Sequence, residues 1–146
     1  MVDIKPDVLA TQLRPTLQRL VRKLRRLSPA DGLLSQSERS VLVLLDEHGQ
    51  LLSSELAVKE KITPQSMGQL LNHLAELNLI NKTASTIDRR KIYISLSQHG
   101  TDMIAKVRSE RNEWLSKAIA ETCTVQEQEI LLKAIIPLTK LVEFNG

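Results

Sequence analysis

Between Thr63 and Leu77 the sequence places Gln65, Ser66, Gln69, Asn72 and His73 opposite an apolar series of Met67, Leu70, Leu71, Leu74 and Leu77. Apolar residues spaced three and four apart predict a helix with one buried stripe. The other face then carries short side chains that both donate and accept hydrogen bonds. Base edges in a DNA major groove require that chemistry. Ordinary solvated surface has the same composition, so the segment that follows decides which reading is worth pursuing.

That segment is basic and patterned as a hairpin. Asn81–Ser85 and Lys91–Leu96 are expected as two strands, the second alternating Ile92, Ile94 and Leu96 against Lys91, Tyr93 and Ser95. Thr86-Ile87-Asp88-Arg89-Arg90 forms a polar tip between them, and Lys82, Arg89, Arg90 and Lys91 against Asp88 leave the hairpin at +3. Lysines and arginines of this kind neutralise phosphates, and an arginine also suits a narrow A·T-rich minor groove. Asp88, two residues before Arg90, is placed to steady its guanidinium. The plain alternative is a surface ion pair of little energetic weight.

Several punctuating residues set the elements that must hold these groups. Ser53 is expected to cap a short helix with Glu55 in its first turn, and Thr63 a second, with Pro64 at the first helical position. Two such helices joined by a tight turn and followed by a basic hairpin make a winged helix. Upstream, Ser35-Gln36-Ser37-Glu38 is a capping box opening a helix with Val41, Leu42, Leu44 and Leu45, which stops at His48-Gly49. Downstream, Ser97 caps a long helix through Met103, Ile104, Val107, Trp114, Leu115, Ala118 and Ile119, ended at Thr122-Cys123. Trp114 reads as core, or as the lining of a cavity between the first and fifth helices. Thr124-Val125-Gln126-Glu127 is a second capping box, and its helix carries Leu131, Ala134, Ile135, Leu138, Leu141 and Val142, with a kink expected between Lys133 and Pro137.

The first helix should run from Asp7 to Leu27 and end at Ser28-Pro29, with Pro15 bending it or marking its true start. Leu13, Leu17, Leu20, Leu24 and Leu27 form a heptad-like seam for another helix, while Arg14, Arg19, Arg22, Lys23, Arg25 and Arg26 take the other faces. A basic amphipathic helix can also lie on a membrane, but this stripe is narrow and lacks Trp or Phe anchors. A solvated basic face beside a helix seam fits better. Some of its arginines are available to acids of a partner helix or to an anionic effector.

Taken together, DRRKIYISLSQHG (Asp88 to Gly100), preceded by ITPQSMGQLLNHLAELNLI (Ile62 to Ile80), resembles the MarR family of bacterial transcriptional regulators. The family's wing signature is matched by Asp88, Arg90, Leu96, Ser97 and Gly100. The resemblance spans Leu9 to Phe144, its specific part Leu34 to Gly100. It implies a mainly α fold with a small two- to three-stranded antiparallel wing, in one domain over 1–146. Residues 33–100 would be the winged helix-turn-helix, and 7–28 and 101–146 a helical dimerisation region. It further implies a homodimer seamed by Leu13, Leu17, Leu20, Leu131, Ile135, Leu138 and Leu141, laying two reading helices on a near-palindrome in double-stranded DNA, about 34–36 Å apart.

On the family pattern the reading helix contributes Thr63, Pro64, Gln65, Ser66, Gln69, Asn72 and His73, and the wing Lys82, Asp88, Arg89, Arg90 and Lys91. Gln65, Ser66, Gln69 and His73 match base-facing positions. Gln69 stands where an Arg is frequent, which implies an adenine preference opposite it. His73 stands where another basic residue is common. Arg90 enters the minor groove on this reading, while Lys82, Arg89 and Lys91 touch phosphates. Gly68 departs from the pattern, and Asn78 replaces a helix-ending Gly. The implied function is a cytoplasmic repressor released by a small-molecule effector.

Composition bounds these expectations. The chain has 146 residues, 42% hydrophobic, with only three aromatics and a net charge of +3. Residues 1–28 hold seven bases and two acids, so the remainder is acidic overall despite the basic hairpin. Neither a transmembrane run nor a signal peptide is evident. The single Cys123 excludes an internal disulfide and suits a reducing compartment. A redox role for it is disfavoured, because the family's peroxide-sensing members carry their cysteine near the N-terminus. His48, His73 and His99 lack partners at metal-ligand spacing, so neither a metal nor a cofactor is expected. No glycine-rich phosphate loop or serine elbow points to an enzyme. The rival from another class is a winged helix used for protein contact without DNA.

Overall fold

A computed structural model of the chain describes residues 2–27 and 33–146. Its elements are α1 (Pro6–Arg25), α2 (Gln36–His48), β1 (Gln50–Leu52), α3 (Ser53–Glu60), α4 (Pro64–Glu76), β2 (Ile80–Ala84), β3 (Ile92–Leu96), α5 (Gln98–Thr122) and α6 (Val125–Glu143). The fold is mainly helical with one small antiparallel sheet, as expected. Two compact units divide it, Met1–Ser109 and Glu110–Gly146.

In the first unit the capping residues act largely as read. Ser35 Oγ accepts the Glu38 amide at 3.1 Å, and Glu38 Oε1 accepts the Ser35 amide at 2.9 Å. Thr63 Oγ1 accepts the Ser66 amide at 3.1 Å, with Pro64 at the first helical position. Ser53 does not cap α3. It is already helical, because β1 ends at Leu52 and passes straight into the helix; Glu55 Oε1 instead accepts the Leu52 amide at 2.9 Å.

The helix-turn-helix closes by the same device at both of its exits. Lys61 (φ 56°) and Asn78 (φ 60°) take the left-handed conformation. The next amide then reaches back five residues, Ile62 to the Ala57 carbonyl at 3.1 Å and Leu79 to the Leu74 carbonyl at 3.0 Å. Asn tolerates this conformation well, whereas Lys does so at some cost. Both reversals turn an apolar residue, Ile62 or Leu79, onto the core.

The sheet order is β1-β3-β2, with β3 pairing antiparallel to both neighbours. β2 lies one residue earlier than the expected Asn81–Ser85 and β3 starts one residue later than the expected Lys91, while β1, only three residues long, had no alternation to betray it. Ile94 points from the central strand into a core with Val41, Leu45, Leu56, Met67 and Leu74, all essentially inaccessible. Each such side chain contributes about 1.5–3 kcal/mol by leaving water. Leu70 and Leu77 pack at the margin of this core. α1 runs continuously past Pro15, which is therefore not its start, and ends at Arg25 rather than Leu27; Ser28-Pro29 lies outside the described residues.

In the second unit, Thr124 and Glu127 form the expected capping box, with bonds of 2.9 and 3.1 Å. α6 runs as one helix through Pro137. Trp114 is half-buried and stands outside the buried core.

Two glycines have opposite surroundings. A Cβ on Gly100 would lie 2.2 Å from the Leu79 carbonyl oxygen, backbone that cannot give way, whereas one on Gly68 would meet nothing within 4 Å. Gly100→Ala is expected to destabilise by about 2 kcal/mol or more. Gly68→Ala, in a helix interior, is expected to stabilise by roughly 0.5–1 kcal/mol. Urea denaturation of both variants measures this, and equal shifts in one direction would contradict the packing described.

Candidate nucleic-acid interface

The helix α4 turns Met67, Leu71 and Leu74 inward and exposes Thr63, Pro64, Gln65, Ser66, Gln69, Asn72 and His73. All seven expected residues are thus exposed, but they are not equally free. Thr63 Oγ1, besides capping, donates to Ser66 Oγ at 3.0 Å. Asn72 Oδ1 accepts from Lys82 Nζ, tying β2 to α4 and engaging a lysine expected to be free for phosphates. His73 Nδ1 is bonded to Glu38 Oε2 of α2. Gln65 and Gln69 stand out from the first two turns.

The wing tip is a closed turn. The Ser85 amide donates to the Lys91 carbonyl at 2.8 Å, and the Lys91 amide to the Asp88 carbonyl at 2.9 Å. Ser85 Oγ accepts the amides of Ile87 and Asp88 at 3.2 and 3.3 Å. Asp88 then holds Arg90 at three points: Oδ1 accepts its amide and its Nε, each at 3.1 Å, and Oδ2 accepts Nη2 at 3.3 Å. These bonds from Arg90 keep the Asp88 carboxyl below its ordinary range. The Arg90 side chain is nevertheless 91% exposed, so the fork aims a guanidinium into open space. Arg89 and Lys91 are exposed beside it. The tip is less polar than its sequence suggests, because Ile87 projects from it 97% exposed.

Glu38 is the contact that sequence inspection missed. Only 7% exposed, it bonds the Ser35 amide with one oxygen and His73 with the other. Its role as the third residue of a capping box was visible, whereas its partner thirty-five residues on was not. Behind the head, Arg108 of α5 pairs with Asp46 of α2 at 2.7 Å. Ser97 Oγ accepts the Gly100 amide at 2.9 Å and donates to the Asn78 carbonyl.

Known proteins share this arrangement. The family model described as the MarR family matches residues 34–92. An uncharacterized HTH-type transcriptional regulator of Mycobacterium bovis is 31% identical over 135 residues, covering 92% of this chain and 93% of that protein. The chain belongs to the MarR family. The HTH-type transcriptional repressor MdtR of Bacillus subtilis is 28% identical over 89% of this chain and 84% of its own. A solved protein of Pseudomonas aeruginosa superposes with a TM-score of 0.83 at 31% identity, covering 97% of this chain and all of that one. The chain is therefore a DNA-binding winged helix-turn-helix transcriptional regulator of the MarR type.

Outside the head of this MarR-type regulator, the seam residues are largely uncovered. Leu17 and Leu20 of α1 are 36% and 38% exposed, and Leu131, Ile135 and Leu141 of α6 are 47%, 58% and 62% exposed; Leu13 and Leu138 are half-buried. Cys123 is half-buried, its Sγ 3.7 Å from Thr122 Oγ1. Among the described residues no helix is long and apolar enough to cross a membrane, and no trio of His, Cys, Asp or Glu is placed to hold a metal.

Burial pushes the Glu38 carboxyl up, but the Ser35 amide, His73 and the Ser35 hydroxyl together leave it below its ordinary 4.5. A carboxylate depressed by folding stabilises the native state above its unfolded pKa, and that contribution is lost as pH falls through the folded value. Stability is therefore expected to decline on acidification below 4.5, and less steeply in Glu38→Gln. Urea midpoints across that range test it; an unchanged acid limb in the variant would remove Glu38 from the account.

Proposed function

We propose that this MarR-family protein acts as a homodimer that reads a near-palindromic operator, and that it is a repressor released by a small molecule. The observation that carries the reading is the pairing of an exposed, uncharged polar helix face with an arginine fixed by Asp88 at the tip of an adjacent hairpin. Gln65, Ser66, Gln69 and His73 of α4 take the base-facing positions, Gln69 favouring adenine through its amide. Thr63, Pro64 and Asn72 set the approach of that helix. Arg90 lies in the minor groove, where a narrow A·T-rich stretch concentrates negative potential. Lys82, Arg89 and Lys91 take phosphates, which adds affinity without sequence information.

Dimerisation is supported by the uncovered apolar faces. α1 and α6 each lack a single buried residue, although both carry leucine seams. Apolar surface of this extent on single helices calls for a partner. Two copies related by a twofold axis bring the reading helices to half-sites about one helical turn apart. The repressor assignment is supported by the name of the Bacillus subtilis relative, a transcriptional repressor.

Ligand release is supported by a groove of about 370 Å³ lined by Leu33, Leu34, Leu77, Leu79, His99, Asp102, Met103 and Lys106. It touches the start of α2, the exit of α4 and the start of α5, so its occupant bears on the posture of the reading helix. A ligand shifts the population only by its differential affinity for the released state.

Selection of bound fragments from random duplex DNA is expected to return an inverted repeat with A·T-rich flanks; recovery of no common sequence would overturn the reading. On that fragment Arg90→Ala should bind at least about tenfold more weakly with dimerisation unchanged. With about six phosphate contacts per dimer, log affinity should fall with log salt at a slope near −5. A flat salt dependence would instead favour a protein-docking role for the wing. In sedimentation, Ile135→Asp is expected to convert dimer to monomer, and a persisting dimer would exclude α6 from the interface.

A further inference from the structure

Of the α4 residues expected to face DNA, His73 is the one ionisable side chain, and the structure ties it to a second element. Its Nδ1 is bonded to Glu38, a carboxylate that burial and the Ser35 amide immobilise from the other side. We infer that Glu38 is a positioning residue for DNA recognition: it holds the His73 ring by Nδ1, turns Nε2 toward the duplex, and makes operator affinity depend on the proton at that ring. The inference rests on the DNA-reading role proposed above.

The chemistry follows from the fixed acceptor. A carboxylate accepts only, so Nδ1 must carry hydrogen in both protonation states of the ring. The neutral ring then offers a lone pair at Nε2, and the imidazolium offers a second N–H there. The His73 side chain is 46% exposed while that of Glu38 is 9% exposed, so a ring bonded through Nδ1 to an enclosed carboxylate keeps accessible surface of its own. In the complex the ring lies between a carboxylate and a polyanion. There only the imidazolium offers an Nε2–H, which makes a charge-assisted bond to a phosphate oxygen or to a purine acceptor. Protonation therefore accompanies binding, and affinity falls as pH rises.

The surrounding charges do not supply an alternative switch. From α2 the facing group is Glu38 itself. On β2, Lys82 is bonded to Asn72, the neighbour of His73. Along α4, Glu76 lies three residues on. From α3, Glu55 accepts the Leu52 amide and Glu60 is bonded to Ser40.

The test is operator binding by fluorescence anisotropy at constant ionic strength, at about pH 6 and about pH 8, which bracket histidine titration. The probe is the duplex selected by the protein. Wild type is expected to bind about tenfold more tightly at the lower pH, the size of one charge-assisted contact. His73→Gln and Glu38→Gln should each flatten the profile, and combining them should flatten it no further. A flat or rising wild-type profile would overturn the inference while leaving the DNA-reading role in place. So would a Glu38→Gln protein that binds more weakly at both values with the wild-type slope, the signature of a merely structural acid. Should Glu38→Gln fail to fold, long-range proton–nitrogen spectra of the free wild-type protein decide the point: His73 must carry its hydrogen on Nδ1 when neutral, and hydrogen on Nε2 alone refutes the arrangement. Absence of binding to any duplex at either pH would remove both this inference and the role beneath it.

Discussion

The head of this protein depends on a junction where four segments meet at the backbone of Asn78 and Leu79. The Ser97 amide donates to the Leu79 carbonyl at 3.0 Å, the Ser97 hydroxyl to the Asn78 carbonyl, and Ser97 Oγ in turn accepts the Gly100 amide. The exit of α4, the start of β2, the end of β3 and the first turn of α5 are thereby held at one point. Only glycine fits at position 100, because the Leu79 carbonyl occupies the space a Cβ requires. Asn78 must also take a positive φ for Leu79 to arrive there. The wing and the reading helix accordingly share one anchor. A displacement of α5 at that anchor would act on α4 and on the central strand together, the route by which the ligand proposed for the adjacent groove would reach the reading face.

This junction also explains why a short motif in the wing was so informative. Leu96-Ser97 followed by Gly100 is not a nucleic-acid signature in itself; it is the chemistry of a helix cap under close backbone approach. The capping boxes at Ser35 and Thr124 were readable for the same reason, since each is made by residues three apart. Long apolar periodicity gave α2, α4 and α6 equally well. Features set by tertiary contact were not readable. β1 is three residues long and exists because β3 pairs with it, so the turn into α3 passes its cap from Ser53 to Leu52 and Glu55. The left-handed Lys61 breaks local preference because the helix-turn-helix must reverse there. Of the candidate site, the exposed face and the Asp88–Arg90 fork were visible in spacing alone, whereas the engagement of Asn72 by Lys82 and of His73 by Glu38 joins residues ten and thirty-five apart.

The helices outside the head pose a different physical problem. α6 carries Ile130, Leu132, Ile136 and Val142 at 65%, 75%, 66% and 83% exposure in addition to its expected stripe. One narrow seam would leave the other faces polar, so an apolar surface this wide suits insertion among several helices rather than pairing with a single one. The homodimer proposed above would bury this surface, and with it an α6 that, despite a sound capping box, has no buried residue of its own within the chain. The stability of such a helix is then inseparable from protomer concentration.

Charge is distributed so that attraction and reading are separated. Residues 33–100 contain seven Lys or Arg and seven Asp or Glu, so the head is neutral as a whole. The hairpin nevertheless holds +3, which leaves the rest of the head at −3. A polyanionic duplex is drawn to such a head through the basic wing rather than through its acidic remainder, so long-range forces bias the encounter before any base is touched. On the reading proposed above, the helix that enters the groove brings Gln65, Ser66, Gln69 and Asn72, none of them charged. These side chains gain little from a wrong sequence, because a misplaced amide leaves a desolvated donor or acceptor unpaired. A lysine or arginine in the same place would find a phosphate on any sequence. The polar, uncharged face thus yields some affinity and gains discrimination. His73, the one ionisable group among the α4 residues of the proposed site, is tethered to a buried acid.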